Sequence, residues 1–204
     1  MSNRDEADFM PNDGKIIVST HCDVIWKAAR VKFFRKKGRR YFSGNLDNVV
    51  CVGAVLRSVI PRVKDKKIKF YFTNGEEIDM EGAKKVMRRE GRALYIAIDV
   101  TQAAKKSDVN VEWPQNVNKR ELRKVLGRIP NLKVGFKTGH PDETKVYGKR
   151  YPTFSLNLPI KGNIHGKSRV SFWKVKRFGL AIVEILRRVR KNYDKICELN
   201  TGNK

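Results

Sequence analysis

Histidine and carboxylate side chains recur directly after the apolar runs of this 204-residue chain. In chain order these groups are His21, Asp23, Asp47, Glu76, Glu77, Asp99 and His165. Imidazole nitrogens and carboxylate oxygens are ligands that zinc and related divalent cations take, and a carboxylate beside them can act as a general base. Each group alone has an ordinary explanation, such as a solvated loop or a helix cap. Together, in this order and at the ends of apolar runs, the set predicts a metal site.

The apolar patterning predicts the elements that must position these groups. Short β-branched or alternating runs predict strands at 15–20, 67–72, 93–98, 132–136 and 153–158. Helical spacing predicts helices at 47–59, 80–89, 119–126 and 172–193. A hairpin is predicted around the basic turn at 36–39. Because strands and helices alternate, we expect a three-layer α/β/α sandwich with a mostly parallel, mixed central sheet.

Six of the candidate groups follow or end predicted strands, and Asp47 stands at the start of a helix. Ligands of open α/β sheets gather at the carboxyl ends of the strands, so we expect one site there. A third histidine, His140, is interpreted as a loop residue. Cys22, between His21 and Asp23, is interpreted as a small buried thiol rather than a ligand, because adjacent side chains of an extended segment point to opposite sides.

The length predicts one domain at 15–197, preceded by a polar leader at 1–14 and followed by a tail at 198–204. No apolar run is long enough to span a membrane, and the first residues do not resemble a signal peptide, so we expect a cytoplasmic protein without a membrane partner. The three cysteines, Cys22, Cys51 and Cys197, predict neither a disulfide framework nor a cysteine zinc cage.

The net charge is +24, from 45 Lys and Arg against 21 Asp and Glu. Such an excess attracts polyanions, either nucleic acid or an acidic protein surface. The cations are spread over many segments, which favours a solvated surface over one dedicated groove. We find no sequence signature of helix-turn-helix, zinc-finger or stacking-platform type, and no predicted strand pair in which Phe and Trp are interleaved with Lys and Arg.

The order of the candidate groups resembles that of the co-catalytic zinc aminopeptidase clan, and most of all the glutamyl and deblocking (tetrahedral) aminopeptidases. In that clan His-x-Asp, Asp-Asp or Asp-Asn, Glu-Glu, Asp and a late His follow one another. The matching residues here are His21-Cys22-Asp23, Asp47-Asn48, Glu76-Glu77, Asp99 and His165. The resemblance extends over about 15–189, nearly the whole chain.

The resemblance implies roles for each group. Two divalent cations, zinc with cobalt or manganese as alternatives, would share Asp47, with His21 and Asp99 on one cation and Glu77 and His165 on the other. Asp23 would orient His21, and Glu76 would be the general base. Asp142 would lie near the substrate cleft.

This chain also departs from the clan. The tetrahedral aminopeptidases insert a second domain between His-x-Asp and the bridging Asp, whereas only residues 22–46 lie there in this chain. Arg169 stands where relatives have an acid soon after the late histidine, and this basic residue is compatible with acidic substrates or with nucleic acid. Because the inserted domain is missing here, we leave open whether the chain forms homo-oligomers.

Three hypotheses follow from the sequence. The first is a dinuclear metallopeptidase that acts on a peptide, in the manner of an aminopeptidase. The second is a basic, nucleic-acid-associated protein on an inactive peptidase fold. The third is a deacylase or amidase of small non-peptide substrates.

Overall fold

The computed structural model describes residues 14–23, 30–139, 142–164 and 166–198. Its strands are β1 (Ile16–His21), β2 (Lys32–Lys36), β3 (Arg39–Gly44), β4 (Ile68–Thr73), β5 (Leu94–Thr101), β6 (Val109–Gln115), β7 (Val134–Gly135), β8 (Thr153–Pro159), β9 (Lys161–Gly162) and β10 (Ser168–Ser171). Its helices are α1 (Val49–Ala54), α2 (Glu81–Glu90), α3 (Lys119–Leu126), α4 (Thr144–Tyr147), α5 (Phe172–Lys191) and α6 (Tyr193–Cys197). A π-helical segment, Val55–Val59, continues α1.

The main sheet has six strands in the order β4-β1-β5-β8-β6-β7. Strands β4, β1, β5 and β8 are parallel, whereas β6 runs antiparallel to β8. The three inner parallel strands, β1, β5 and β8, are buried nearly throughout, which explains the apolar run at the start of β1 and the largely apolar sequence of β5, whereas the edge strand β4 is partly exposed. The expected mixed, mostly parallel α/β sheet is confirmed.

Helices cover both faces of this sheet. The larger core packs one face against α1, α3, α5 and α6 and includes Ile16, Ile96, Phe178 and Ile182. The smaller core packs the other face against α2 and α4 and includes Ile17, Val86 and Tyr147. Alternate residues of β1 therefore point to opposite layers.

A second, antiparallel sheet has the order β2-β3-β10-β9. The predicted hairpin forms its first two strands, joined by Lys37 and Gly38, both with positive φ as a two-residue turn of this type requires. Strand β10 then pairs with β3, from Ser168 opposite Gly44 to Ser171 opposite Tyr41. The sequence had not predicted β9 or β10.

Two expectations need correction. Cys22 is exposed rather than buried, because β1 ends at His21 and Cys22 lies beyond the packed part of the strand. Asp99 does not end its strand, since β5 continues to Thr101. The predicted leader at 1–14, apart from Gly14, and all of the predicted tail at 198–204 except Glu198 lie outside the described residues.

Candidate metal centre

Three side chains converge at the carboxyl edge of the parallel strands. His21 is the last residue of β1, Asp99 lies near the end of the neighbouring β5, and Asp47 immediately precedes α1. The His21 Nε2 atom is 3.2 Å from Asp47 Oδ1 and 3.4 Å from Asp99 Oδ1. All three side chains offer ligand atoms within 4.8 Å of one another.

These distances fit shared coordination better than direct contact. His21 is buried, and its Nε2 atom forms no hydrogen bond with any group that the structure describes. Ligand atoms placed tetrahedrally about 2.0–2.2 Å from a zinc ion are about 3.3–3.6 Å apart, close to the two spacings seen here. The buried nitrogen and the two carboxylates can therefore hold a divalent cation.

The electrostatics of the three groups agree with this interpretation. Burial lowers the pKa of His21, but the carboxylates of Asp47 and Asp99 more than offset burial, and the net shift is upward. Burial, and next the charge of Asp47, raises the pKa of Asp99 well above its usual range. Positive charge at this point stabilises the carboxylates, and a divalent cation would supply it.

A glutamate pair also lies close to His21. His21, Glu76 and Glu77 also offer ligand atoms within 4.8 Å of one another, with both glutamates in the segment after β4. Burial raises the pKa of Glu76 to about 7, with His21 opposing the shift and the charge of Glu77 adding to it. A carboxyl of this kind can accept and release a proton near neutral pH.

Asp23 links the two groups. The His21 Nδ1 atom lies 3.2 Å from the Asp23 carbonyl oxygen and 3.4 Å from Asp23 Oδ1. The other carboxylate oxygen of Asp23 accepts a hydrogen bond of 3.3 Å from the Glu77 backbone N–H. Asp23 thus constrains both the imidazole ring and the start of the glutamate segment.

The segment before α1 is fixed by the buried Asn48 side chain. Its amide nitrogen donates to Thr20 Oγ1 at 3.0 Å and to the Ile98 carbonyl at 2.7 Å, which ties the segment to β1 and β5. The Cys51 thiol donates to the Asp99 carbonyl at 3.2 Å. These contacts hold Asp47 between His21 and Asp99.

The structure therefore brings together six of the seven sequence-predicted groups: His21, Asp23, Asp47, Glu76, Glu77 and Asp99. The seventh, His165, and the loop histidine, His140, lie outside the described residues.

Two further buried acids, Glu143 and Asp142, adjoin this centre. Glu143 accepts hydrogen bonds of 2.5 Å from Ser19 and from Thr73. Asp142, expected near the cleft, is buried and adds to the raised pKa of both Asp99 and Glu76.

The sequence analysis did not single out Glu143 or the buried Glu112. Glu112 accepts a hydrogen bond of 2.6 Å from Asn110 within β6, and burial raises the pKa of both glutamates. For Glu112 the available signal was an acid between the apolar residues Val111 and Trp113.

Fold and site together define an α/β protein with a histidine-carboxylate centre at the carboxyl edge of its sheet. Comparison with protein families gives a match to the M42 glutamyl aminopeptidase model over residues 15–118. This interval is just over half of the chain and contains all six clustered residues. The chain belongs to the M42 glutamyl aminopeptidase family.

Solved structures give the same fold. The TET1 peptidase of Pyrococcus horikoshii, described as assembling into a tetrahedron or a large octahedral shell, superposes with a TM-score of 0.62 at 19% identity, over 77% of this chain and 53% of that one. An aminopeptidase of Desulfurococcus kamchatkensis superposes with a TM-score of 0.61 at 13% identity, over 85% and 56%.

A TET aminopeptidase from a marine sediment thaumarchaeote gives a TM-score of 0.62 at 14% identity, over 78% of this chain and 52% of that one. The chain thus spans about half the length of these structures. No curated protein sequence matches it. Among the residues that the structure describes, no helix is long and apolar enough to cross a membrane.

Proposed function

We propose that this chain is a metal-dependent hydrolase that cleaves a peptide or small amide bond in the manner of an aminopeptidase. The observation that carries the proposal is the convergence of His21 Nε2, which forms no hydrogen bond within the described chain, on Asp47 and Asp99 at 3.2 and 3.4 Å. Family membership supports the same reaction class.

We assign the ligands as the family pattern suggests. Asp47 would be shared by two divalent cations, His21 and Asp99 would complete one, and Glu77 with His165 would complete the other. The proximity of Glu77 to His21 in one ligand group supports a second cation close to the first. Bound cations would polarise the scissile carbonyl and increase the acidity of the attacking water.

The side chains around the cations would move the protons. Glu76 is half-buried beside the ligand groups, where its carboxylate would accept a proton from water and deliver it to the leaving amine. Asp23 would hold the Nδ1 side of His21, so that Nε2 stays directed at the cation. The substrate would be a peptide or another small amide, and assemblies described for related structures make self-association a further expectation.

The test is metal content together with activity. Full-length protein purified without chelator is analysed for zinc, cobalt and manganese and assayed on aminoacyl anilides and on an N-acyl amino acid. We expect bound metal, and we expect Glu76→Gln to keep the metal while losing about 10²–10⁴-fold in activity. Glu198→Gln, an exposed glutamate, serves as the matched control.

Two results would contradict the proposal. A folded protein that takes up none of the three metals has no such centre. A Glu76→Gln variant as active as the control shows that Glu76 is not the base.

A further inference from the structure

The second sheet concentrates part of the excess charge on an open surface. Its four strands contain no acidic residue. They contain seven cationic residues: Lys32, Arg35, Lys36, Arg39, Arg40, Lys161 and Arg169. Within the described part of the chain, no ion pair involves any of them.

The register places cations directly opposite one another. Arg35 faces Arg40 and Lys36 faces Arg39 across the hairpin, while Arg169 faces Lys161 across the other edge. Like charges in such positions destabilise a sheet. An anionic partner spread over the sheet would remove this repulsion.

Aromatic rings lie among these cations on one face. Alternation along the paired strands puts Lys32, Phe34, Lys36, Arg39, Tyr41, Lys161 and Arg169 on the same side, here named the basic aromatic face. Phe34 and Tyr41 stack with centroids 5.5 Å apart, and the Arg169 guanidinium lies 5.7 Å from the Tyr41 ring centroid. The sequence analysis found no strand pair in which aromatic and basic residues are interleaved, and this was wrong for β2 and β3, where Phe34 and Tyr41 lie among lysines and arginines. Arg169 joins them only when β10 pairs with β3.

A pocket of about 660 Å³ adjoins the basic aromatic face where β3 and β10 meet the first turn of α5. Its lining combines Arg39, Tyr41, Lys161 and Arg169 with Trp173, and none of the described residues that line it is acidic. Trp173 is 61% exposed and so presents an indole ring to solvent. The volume lies within the range of sites that accept a small organic group such as a nucleotide.

We propose that the basic aromatic face and this pocket bind single-stranded nucleic acid. Lysine and arginine side chains pair with backbone phosphates, and exposed aromatic rings stack with unpaired bases of any sequence. Both kinds of group are present here in one continuous, acid-free surface. An acidic protein would use the charges but would leave the aromatic rings without a stacking partner. The proposal does not depend on the hydrolase activity.

The experiment measures the affinity of the full chain for a fluorescent oligothymidylate of about 20 nucleotides across a salt series. We expect Trp173→Ala to weaken binding at least fivefold while Trp173→Phe stays near wild type, since phenylalanine keeps a stacking face. We expect Arg39→Ala/Arg169→Ala to reduce the logarithmic salt slope by about 1.4, about 0.7 for each lost phosphate contact on a single strand. The control is Lys85→Ala/Arg88→Ala on α2, which covers the other face of the main sheet. This variant loses the same charge as Arg39→Ala/Arg169→Ala, and we expect it to change the affinity and the salt slope less.

Circular dichroism and thermal unfolding of each variant establish that it is folded. Equal affinity for duplex DNA and for the single strand, indifference to Trp173→Ala, or equal effects of the two double variants would each overturn the proposal in favour of general attraction to polyanions. Equal competition by polyglutamate would overturn it in favour of an acidic protein partner.

Discussion

At the scale of single residues, burial changes the pKa values of acids in and around the candidate metal centre. Asp99 and Glu143 are ordinary acids in the sequence, yet the fold encloses both and raises the pKa of each. His21 compensates for part of this negative charge. Glu143 differs from Asp99 because its partners are neutral hydroxyl groups, those of Ser19 and Thr73. The folded state therefore holds this carboxyl without an ion pair among the contacts described.

This arrangement predicts a pH effect on stability. Because burial raises the pKa of Glu143 in the folded state, the folded protein binds more protons than the unfolded chain above the ordinary glutamate pKa of about 4.3. The stabilising contribution is then complete below that pH and is lost as pH rises through the folded-state pKa. Glu143→Gln, which has no proton to lose, should show a shallower fall of the free energy of unfolding from acidic towards neutral pH.

Urea unfolding at a series of pH values, with chelator present so that metal binding does not contribute, measures this slope. Glu198→Gln is the exposed control and should retain the wild-type slope. If Glu143→Gln and wild type fall in parallel, Glu143 does not titrate differently in the folded state.

At the scale of elements, the apolar patterns located most of the main sheet and its helices. Helix α3 was predicted with the observed bounds, and β1, β4, β5 and β8 within three residues at each end. Strand β6 was missed although Val109, Val111 and Trp113 alternate with polar residues as in a strand, and Pro114 is the residue that disfavours this assignment. The Asn110 side-chain nitrogen donates one hydrogen bond to Glu112 within β6 and one to the Lys137 carbonyl, which lies outside the strand.

The close contact between α5 and the π-helical segment after α1 gives a prediction at this scale. A Cβ atom at Gly179 would come within 2.6 Å of the Ser58 Cβ atom. Gly179→Ala should therefore destabilise the protein by about 1–3 kcal/mol, although the same change at an open helix position would stabilise it by about 1 kcal/mol. The free energy of unfolding from urea titration measures the sign.

Ser58→Gly supplies the matched test, since it removes the atom in conflict. The double variant Gly179→Ala/Ser58→Gly should recover part of the loss relative to the sum of the single changes. Strict additivity of the two changes would show that this contact does not limit the approach of the helices.

At the scale of the whole molecule, the dominant feature is the net charge of +24. Buried ion pairs such as that of Glu90 with Lys15 neutralise few of the cations. An excess of one sign opposes the compact state through self-repulsion. The sequence predicts a dispersed, solvated coat of cations, and seven of these cations lie on the four strands of the second sheet, which contain no acid.

Screening of this repulsion predicts a salt effect. Raising sodium chloride from about 0.02 M to about 0.2 M shortens the screening length from about 20 Å to about 7 Å. We expect an increase in the thermal unfolding midpoint of a few degrees, equivalent to about 1 kcal/mol for a domain of this size. Scanning calorimetry with chelator present measures it, and potassium chloride at equal ionic strength should act alike. A midpoint that stays constant or falls would show that self-repulsion is not a significant cost.

The sequence by itself determined the fold class, the family and the set of groups at the carboxyl edge of the sheet. The fold class follows because burial imposes a local periodicity on each strand and helix, and the site because parallel strands end at a common edge. The family came from the resemblance carried by the order of the His-x-Asp, Asp-Asn, Glu-Glu and Asp motifs. Only the tertiary structure decided that β10 pairs with β3 and that Glu143 is enclosed by Ser19 and Thr73. Those outcomes join residues far apart in the chain, and their partners are set by packing rather than by any local pattern.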